Sequence, residues 1–144
     1  MSIDLGPMNA QAKRPRYIQV DLDLFANFDL ANLVAAFGNK ICVLHCGEGI
    51  ARFGELRSRY SAVLELNLAT RPLNETQRRF CTIIEKLPDE AAKQWRKVRR
   101  RVFDIGFDSG DLRPQLNIAI DPELIARIAK LGATVAITIY PVDE

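Results

Sequence analysis

The sequence predicts an α+β fold. Segments of alternating apolar and polar residues, segments whose apolar residues recur at helical spacing, and Gly or Pro punctuation between them carry that prediction. A chain of 144 residues, 48% of them hydrophobic and 26% charged, suits one domain with a single core and excludes collagen-like and disordered classes. Residues 16–144 are expected to form that domain, behind a flexible leader, residues 1–15, in which Gly6, Pro7, Asn9, Gln11 and Lys13 offer little to a core.

From Tyr17 to Phe25, Ile18, Val20, Leu22 and Leu24 alternate with Tyr17, Gln19, Asp21 and Asp23, the period of a strand buried on one face. Leu30, Leu33, Val34 and Phe37 then fall at helical spacing, with Asn27 or Asp29 placed to cap the start and Gly38 to end it. Lys40 to Cys46 is apolar on both faces and reads as a covered strand closed by Gly47-Glu48-Gly49. Ile50 to Arg59 fits either a helix or a hairpin around Gly54. Ala62, Leu64, Leu66 and Leu68 mark the next strand, running up to Thr70.

Asn74 and Gln77 have capping-box spacing and open a helix with Phe80, Ile83, Ile84 and Leu87 on one stripe, interrupted by Pro88. A second helical segment from Asp89 carries Ala91, Trp95, Val98 and Val102 on one side, and Phe103, Ile105 and Phe107 follow as a strand. After a turn at Asp108-Ser109-Gly110-Asp111, Leu116, Ile118 and Ile120 suggest another strand. Asp121-Pro122 starts the last helix, Gly132 stops it, and Val135, Ile137 and Ile139 alternate as a closing strand. Laid Gly132 on Gly38, the two helix-glycine-strand units look alike, a match that generic amphipathic patterning also gives.

The first six elements in this order match the split βαβ of ferredoxin-like folds, with an added helix-strand unit. The expected sheet is mixed or antiparallel, with helices on one face.

Twenty basic against 18 acidic residues leave a net charge of +2, too small for the molecule as a whole to draw nucleic acid or an anionic membrane. Three Cys and one His do not make a disulfide framework, which points to free thiols in a reducing, cytoplasmic setting. No apolar run approaches the roughly 18 residues of a membrane span, so no membrane partner is expected.

No cofactor or metal site is expected. On a regular strand Cys42 and Cys46 share a face about 13 Å apart, at roughly 3.3 Å per residue, while His45 points the other way, so they do not ligate one tetrahedral ion. Gly47-Glu48-Gly49 lacks the third glycine of a dinucleotide fingerprint, Arg52 standing there instead. Asp104, Asp108 and Asp111 lack calcium-loop spacing. No catalytic constellation is marked, which favours a non-enzymatic role and leaves open an activity built from dispersed residues. A small-molecule pocket around His45, Cys46 and Arg52 ranks third among the functional readings.

Two charged features remain. In a ferredoxin-like sheet the outward face of the first strand brings Asp21 and Asp23 near Glu65 and Asp104, and like charges facing across strands are better tolerated when a basic partner covers them. The leading expectation is therefore an interaction module that recognises another protein through Asp21, Asp23, Glu65 and Asp104. The alternative is nucleic-acid binding by a basic helix over 93–101 through Lys93, Arg96, Lys97, Arg100 and Arg101. That cluster also follows the helix macrodipole, acidic at Asp89 and Glu90 and basic at the end, and Trp95 reads as core. A homo-oligomer is also open.

Asp21-Leu22-Asp23 with Leu30, Leu33 and Phe37-Gly38, and the run Pro114 to Leu124 leading into Leu131-Gly132-Ala133 and Ile137-Thr138-Ile139-Tyr140, resemble a family of small bacterial domains of unknown function, the one numbered four-two-seven-nine. The resemblance covers about half the chain and departs from the family in the middle, where Phe53 and Tyr60 stand in place of a tryptophan-bearing strand. It implies a bacterial α+β domain and transfers no functional residue.

Overall fold

The computed structural model describes residues 15–49, 58–67, 71–110 and 115–141. The leader to Arg14, Ile50 to Arg57 with Arg52, and the residues around Asp111 lie outside the described residues. The chain is α+β, and its described residues form a five-stranded mixed sheet and four α-helices. In chain order the elements are β1 (Arg16–Ala26), α1 (Ala31–Ala36), β2 (Ile41–Glu48), β3 (Tyr60–Leu66), α2 (Leu73–Glu85), α3 (Asp89–Lys97), β4 (Arg100–Asp108), α4 (Pro122–Lys130) and β5 (Thr134–Tyr140). A 3₁₀ turn, Gly38–Lys40, joins α1 to β2.

The strands lie in the order β2-β3-β1-β4-β5. β1 runs antiparallel to both neighbours, β2 and β3 form an antiparallel pair, and β4 and β5 are parallel. A parallel pair needs a crossover, and α4 supplies it.

Alternation on β1 sends Val20, Leu22, Leu24 and Ala26 into the main core, where they join Leu64, Phe103 and Ile105 from neighbouring strands. Leu33 and Val34 of α1, Phe80 and Ile84 of α2, Ala91 and Trp95 of α3 and Ile128 of α4 complete the same cluster, so the helices share that face of the sheet. Phe25, Val102 and Ala136 form a small cluster on the other face.

The predicted α1 stripe, Leu30, Leu33, Val34 and Phe37, is fully buried. Asp29 accepts the Ala31 backbone N–H at 2.9 Å, and Gly38 turns the chain at φ +78°. α4 starts at Pro122 with Asp121 as N-cap residue, as the sequence predicts. It ends in a Schellman arrangement: Gly132, at φ +70°, donates to Ala129 O, and Ala133 donates to Ile128 O.

Four local expectations are corrected. Residues 115–120 form no strand, because the segment is held to the helix layer by α2 and the core and not to a sheet edge. Ile118 and Ile120 pack on the core without pairing, and Asn74 ties down the segment by donating to Ala119 O and accepting from the Asp121 N–H. Asn74 is therefore not half of a capping box; α2 begins one residue earlier and Gln77 is buried. β2 is an edge strand with Val43 and Leu44 exposed, not a covered one. The basic helix stops at Lys97, since Val98 takes an extended conformation (φ −58°, ψ 132°) and Arg100 and Arg101 open β4.

Candidate functional site

The sheet face turned away from the helices gathers the predicted acidic residues. Asp21 and Asp104 are register partners across β1 and β4, and Asp23 lies two residues further along the same face. Glu65 lies one step past the Leu22–Leu64 pair on β3, half-buried. The fold thus brings the four together, but not on an exposed platform. Asp21, Asp23 and Asp104 are 5%, 0% and 4% exposed, and none of the three is without a partner. Asp21 accepts from Gln19 Nε2 at 3.2 Å, and Asp104 accepts from Thr138 Oγ1 at 2.6 Å. A cavity of about 270 Å³ lies beside them, lined by Ile18, Gln19, Asp21, Asp104, Gly106 and Tyr140. Period-two alternation distinguishes the faces of a strand but does not say whether the second face is covered. A buried carboxylate held by hydrogen bonds supports the fold and offers little to a docking partner.

The basic set divides. Lys93, Arg96 and Lys97 are exposed on α3, with Lys93 Nζ 3.4 Å from Glu90 Oε1. Arg100 sits at the start of β4, half-buried and partnered. Arg101 is withdrawn into the fold: its guanidinium donates to the carbonyls of Trp95, Val98 and Gly132 and lies over the Trp95 ring, and burial lowers its pKa. Trp95 packs in the core and donates from Nε1 to Leu131 O at 3.1 Å.

His45 and Cys46 fall on opposite faces, because successive strand residues pair with Val63 and Ala62. A bulge between Val43 and His45 shifts the register, so Cys42 and His45 share the outer face while Cys46 packs against the core, where burial raises its thiol pKa. The regular-strand geometry that put Cys42 with Cys46 is thereby corrected. Among the described residues no three His, Cys, Asp or Glu side chains come together to hold a metal ion. No described helix is long and apolar enough to cross a membrane.

The surface feature that sequence reading missed is the outer edge of β5. Val135, Ile137 and Ile139 are exposed, the last two at 63% and 64%, and Ile125 of α4 is exposed beside them. Ile137 and Ile139 also line a groove of about 420 Å³ with Phe107, Leu116 and Ile118. The alternation of Val135, Ile137 and Ile139 was visible in the sequence, but their strand's place at the sheet edge was not.

Comparison with protein families, with curated proteins and with solved structures finds no match to this chain.

Proposed function

We propose that this chain is a non-enzymatic protein-interaction module, and that it docks through the β5 edge rather than through the acidic face. The observation that carries the reading is the exposed row Val135, Ile137 and Ile139 on a strand that, among the described residues, has no strand paired to its outer side. Exposed apolar patches on soluble domains mark contact surfaces, and an open edge offers main-chain hydrogen bonds to an added strand.

We further propose a ferredoxin-like split βαβ frame. The order β2-β3-β1-β4, with β3 lying between β1 and β2, supports it, and α4 with β5 is then the added unit. The likeness to the small bacterial family rests on the glycine-ended helices and the terminal Tyr140 strand. Cytoplasmic residence and the absence of a membrane partner remain part of this proposal.

A second reading, nucleic-acid binding, keeps Lys93, Arg96 and Lys97. With three cations meeting phosphates, the slope of log affinity against log salt would be about −2.7. Affinity capture of tagged chain with and without nuclease separates the two. Nuclease-resistant association with a polypeptide, a second copy included, that is lost in Ile137→Lys supports docking through β5. Nucleic acid that disappears on charge reversal of Lys93, Arg96 and Lys97 replaces that reading with the second.

A further inference from the structure

We infer that the partner of the β5 edge is a second copy of this chain, joined antiparallel across a two-fold axis at Ile137. The inference rests on the reading of β5 as the docking edge and names its occupant.

The two edges of the sheet differ. β2 carries the devices that keep an edge from pairing: a bulge at Val43 to His45, and exposed polar His45 and Glu48, the latter 3.5 Å from the Arg59 guanidinium. β5, Thr134 to Tyr140, has no charged residue, glycine or proline, and its seven-residue register with β4 has no shift. A strand that long, regular and apolar is a template for another strand.

The backbone is oriented to serve as one. Ser109 donates its N–H to Tyr140 O, so the carbonyl of Tyr140 points toward β4. Neighbouring residues point their N–H and C=O groups to opposite sides, so those of Val135, Ile137 and Ile139 point outward.

The residue order is self-complementary. With Ile137 opposite its own copy, Val135 meets Ile139 and Ile139 meets Val135 on the helix side. On the other side Ala136 meets Thr138, and Thr134 meets Tyr140, a favourable β-branched and aromatic pair. No like charges oppose each other in this register, and a strand without charge carries nothing to select a charged foreign partner. The rotation keeps both copies of α4 on the same side of one continuous sheet. Ile125 and the small Ala129, which line the pocket above Val135, then extend the apolar contact. A two-fold interface requires such self-complementarity.

The test is the solution mass of the full chain by light scattering, at high micromolar concentration, for the natural sequence, Ile137→Lys and the opposite-edge control Val43→Lys. Two-chain mass is expected for the natural sequence and Val43→Lys, and one-chain mass for Ile137→Lys. Since Ile137 is largely exposed, lysine there should leave the circular dichroism spectrum unchanged. Hydrogen exchange gives a readout without mutation: the outward amides of Val135, Ile137 and Ile139 should gain protection as concentration rises. A natural chain of one-chain mass, or a dimer broken by Val43→Lys and not by Ile137→Lys, overturns the inference. If a one-chain protein still captures another polypeptide and Ile137→Lys abolishes capture, the second-copy inference fails while the docking edge stands. If Ile137→Lys changes neither mass nor capture, both fail.

Discussion

Arg101 holds the end of the helix that carries Trp95: its Nη1 donates to the Trp95 carbonyl at 2.7 Å, and its guanidinium lies 5.6 Å from the centre of the indole ring. The same group reaches Val98 O at 3.2 Å and, through Nε, Gly132 O at 3.1 Å. Trp95 Nε1 closes the arrangement on Leu131 O. One side chain therefore donates to carbonyls at the end of α3 and just past the end of α4, adding to the Val98 N–H that the Trp95 carbonyl already accepts at 3.2 Å.

Arg101→Ala should lower stability by about 2–3 kcal/mol, the range for charge-assisted hydrogen bonds discounted for partial exposure. Arg101→Lys should recover only part of it, because an ammonium cannot reproduce the planar fork. Urea unfolding midpoints measure both. A loss below about 0.5 kcal/mol for Arg101→Ala would place the residue among ordinary surface cations.

Gly132 has two reasons to be glycine. Its φ is +70°, and a Cβ there would stand 2.7 Å from Arg101 Nη2. Gly38 has the first reason alone: its φ is +78°, with nothing within 4 Å of a Cβ. Each Gly→Ala change should cost about 1 kcal/mol for the left-handed backbone, with Gly132→Ala costing more. In an Arg101→Ala background the difference between the two should shrink, and a double-mutant cycle by chemical denaturation reads that coupling.

Local rules carried much of the fold. The spacing of Leu30, Leu33, Val34 and Phe37 fixed α1, and Asp121-Pro122 with Gly132 bounded α4, because these are contests between neighbouring residues. What failed depended on long-range competition. Leu116, Ile118 and Ile120 alternate like a strand, yet Ile118 and Ile120 pack on the core and Asn74, distant in sequence, takes up Ala119 O and the Asp121 N–H. The bulge near Leu44 inverted the faces of β2, and no residue there is a glycine that would announce it. For the site, the shared face of Asp21, Asp23, Glu65 and Asp104 was legible from period two and strand order. Their burial was not, since alternation carries no information on what covers a face.

That burial changes what charge reversal reports. Asp23→Lys places an ammonium where 0% of the residue is exposed, so a failure to fold is expected, a loss of more than about 4 kcal/mol. Asp104→Ala removes the acceptor of the 2.6 Å bond from Thr138 and should cost about 1–3 kcal/mol. Glu65→Lys, at a half-buried position, should be tolerated. Thermal melts of the three rank them; equal and native-like melting of all three would return the acidic face to the surface.

The fork between Arg127 and Glu85 joins α4 to α2 and gives a pH-dependent prediction. Arg127 donates from Nη2 to Glu85 Oε1 at 2.6 Å and from Nε to Oε2 at 2.9 Å, with Thr82 Oγ1 accepting a further bond from Nη2 at 3.2 Å. These bonds hold the Glu85 carboxyl below its ordinary range. A carboxylate depressed in the folded state stabilises above its unfolded pKa, and that contribution is lost as pH falls through the folded value. Natural chain should therefore melt above Glu85→Gln at pH 7, with the gap closing below about pH 4, the unfolded carboxyl range. Both side chains keep substantial exposure, 26% for Arg127 and 40% for Glu85, so the gap corresponds to no more than about 1 kcal/mol and narrows in high salt. Melting temperatures from pH 3 to 8 decide it: a gap constant across that range would mean that Glu85 acts through packing and not through its charge.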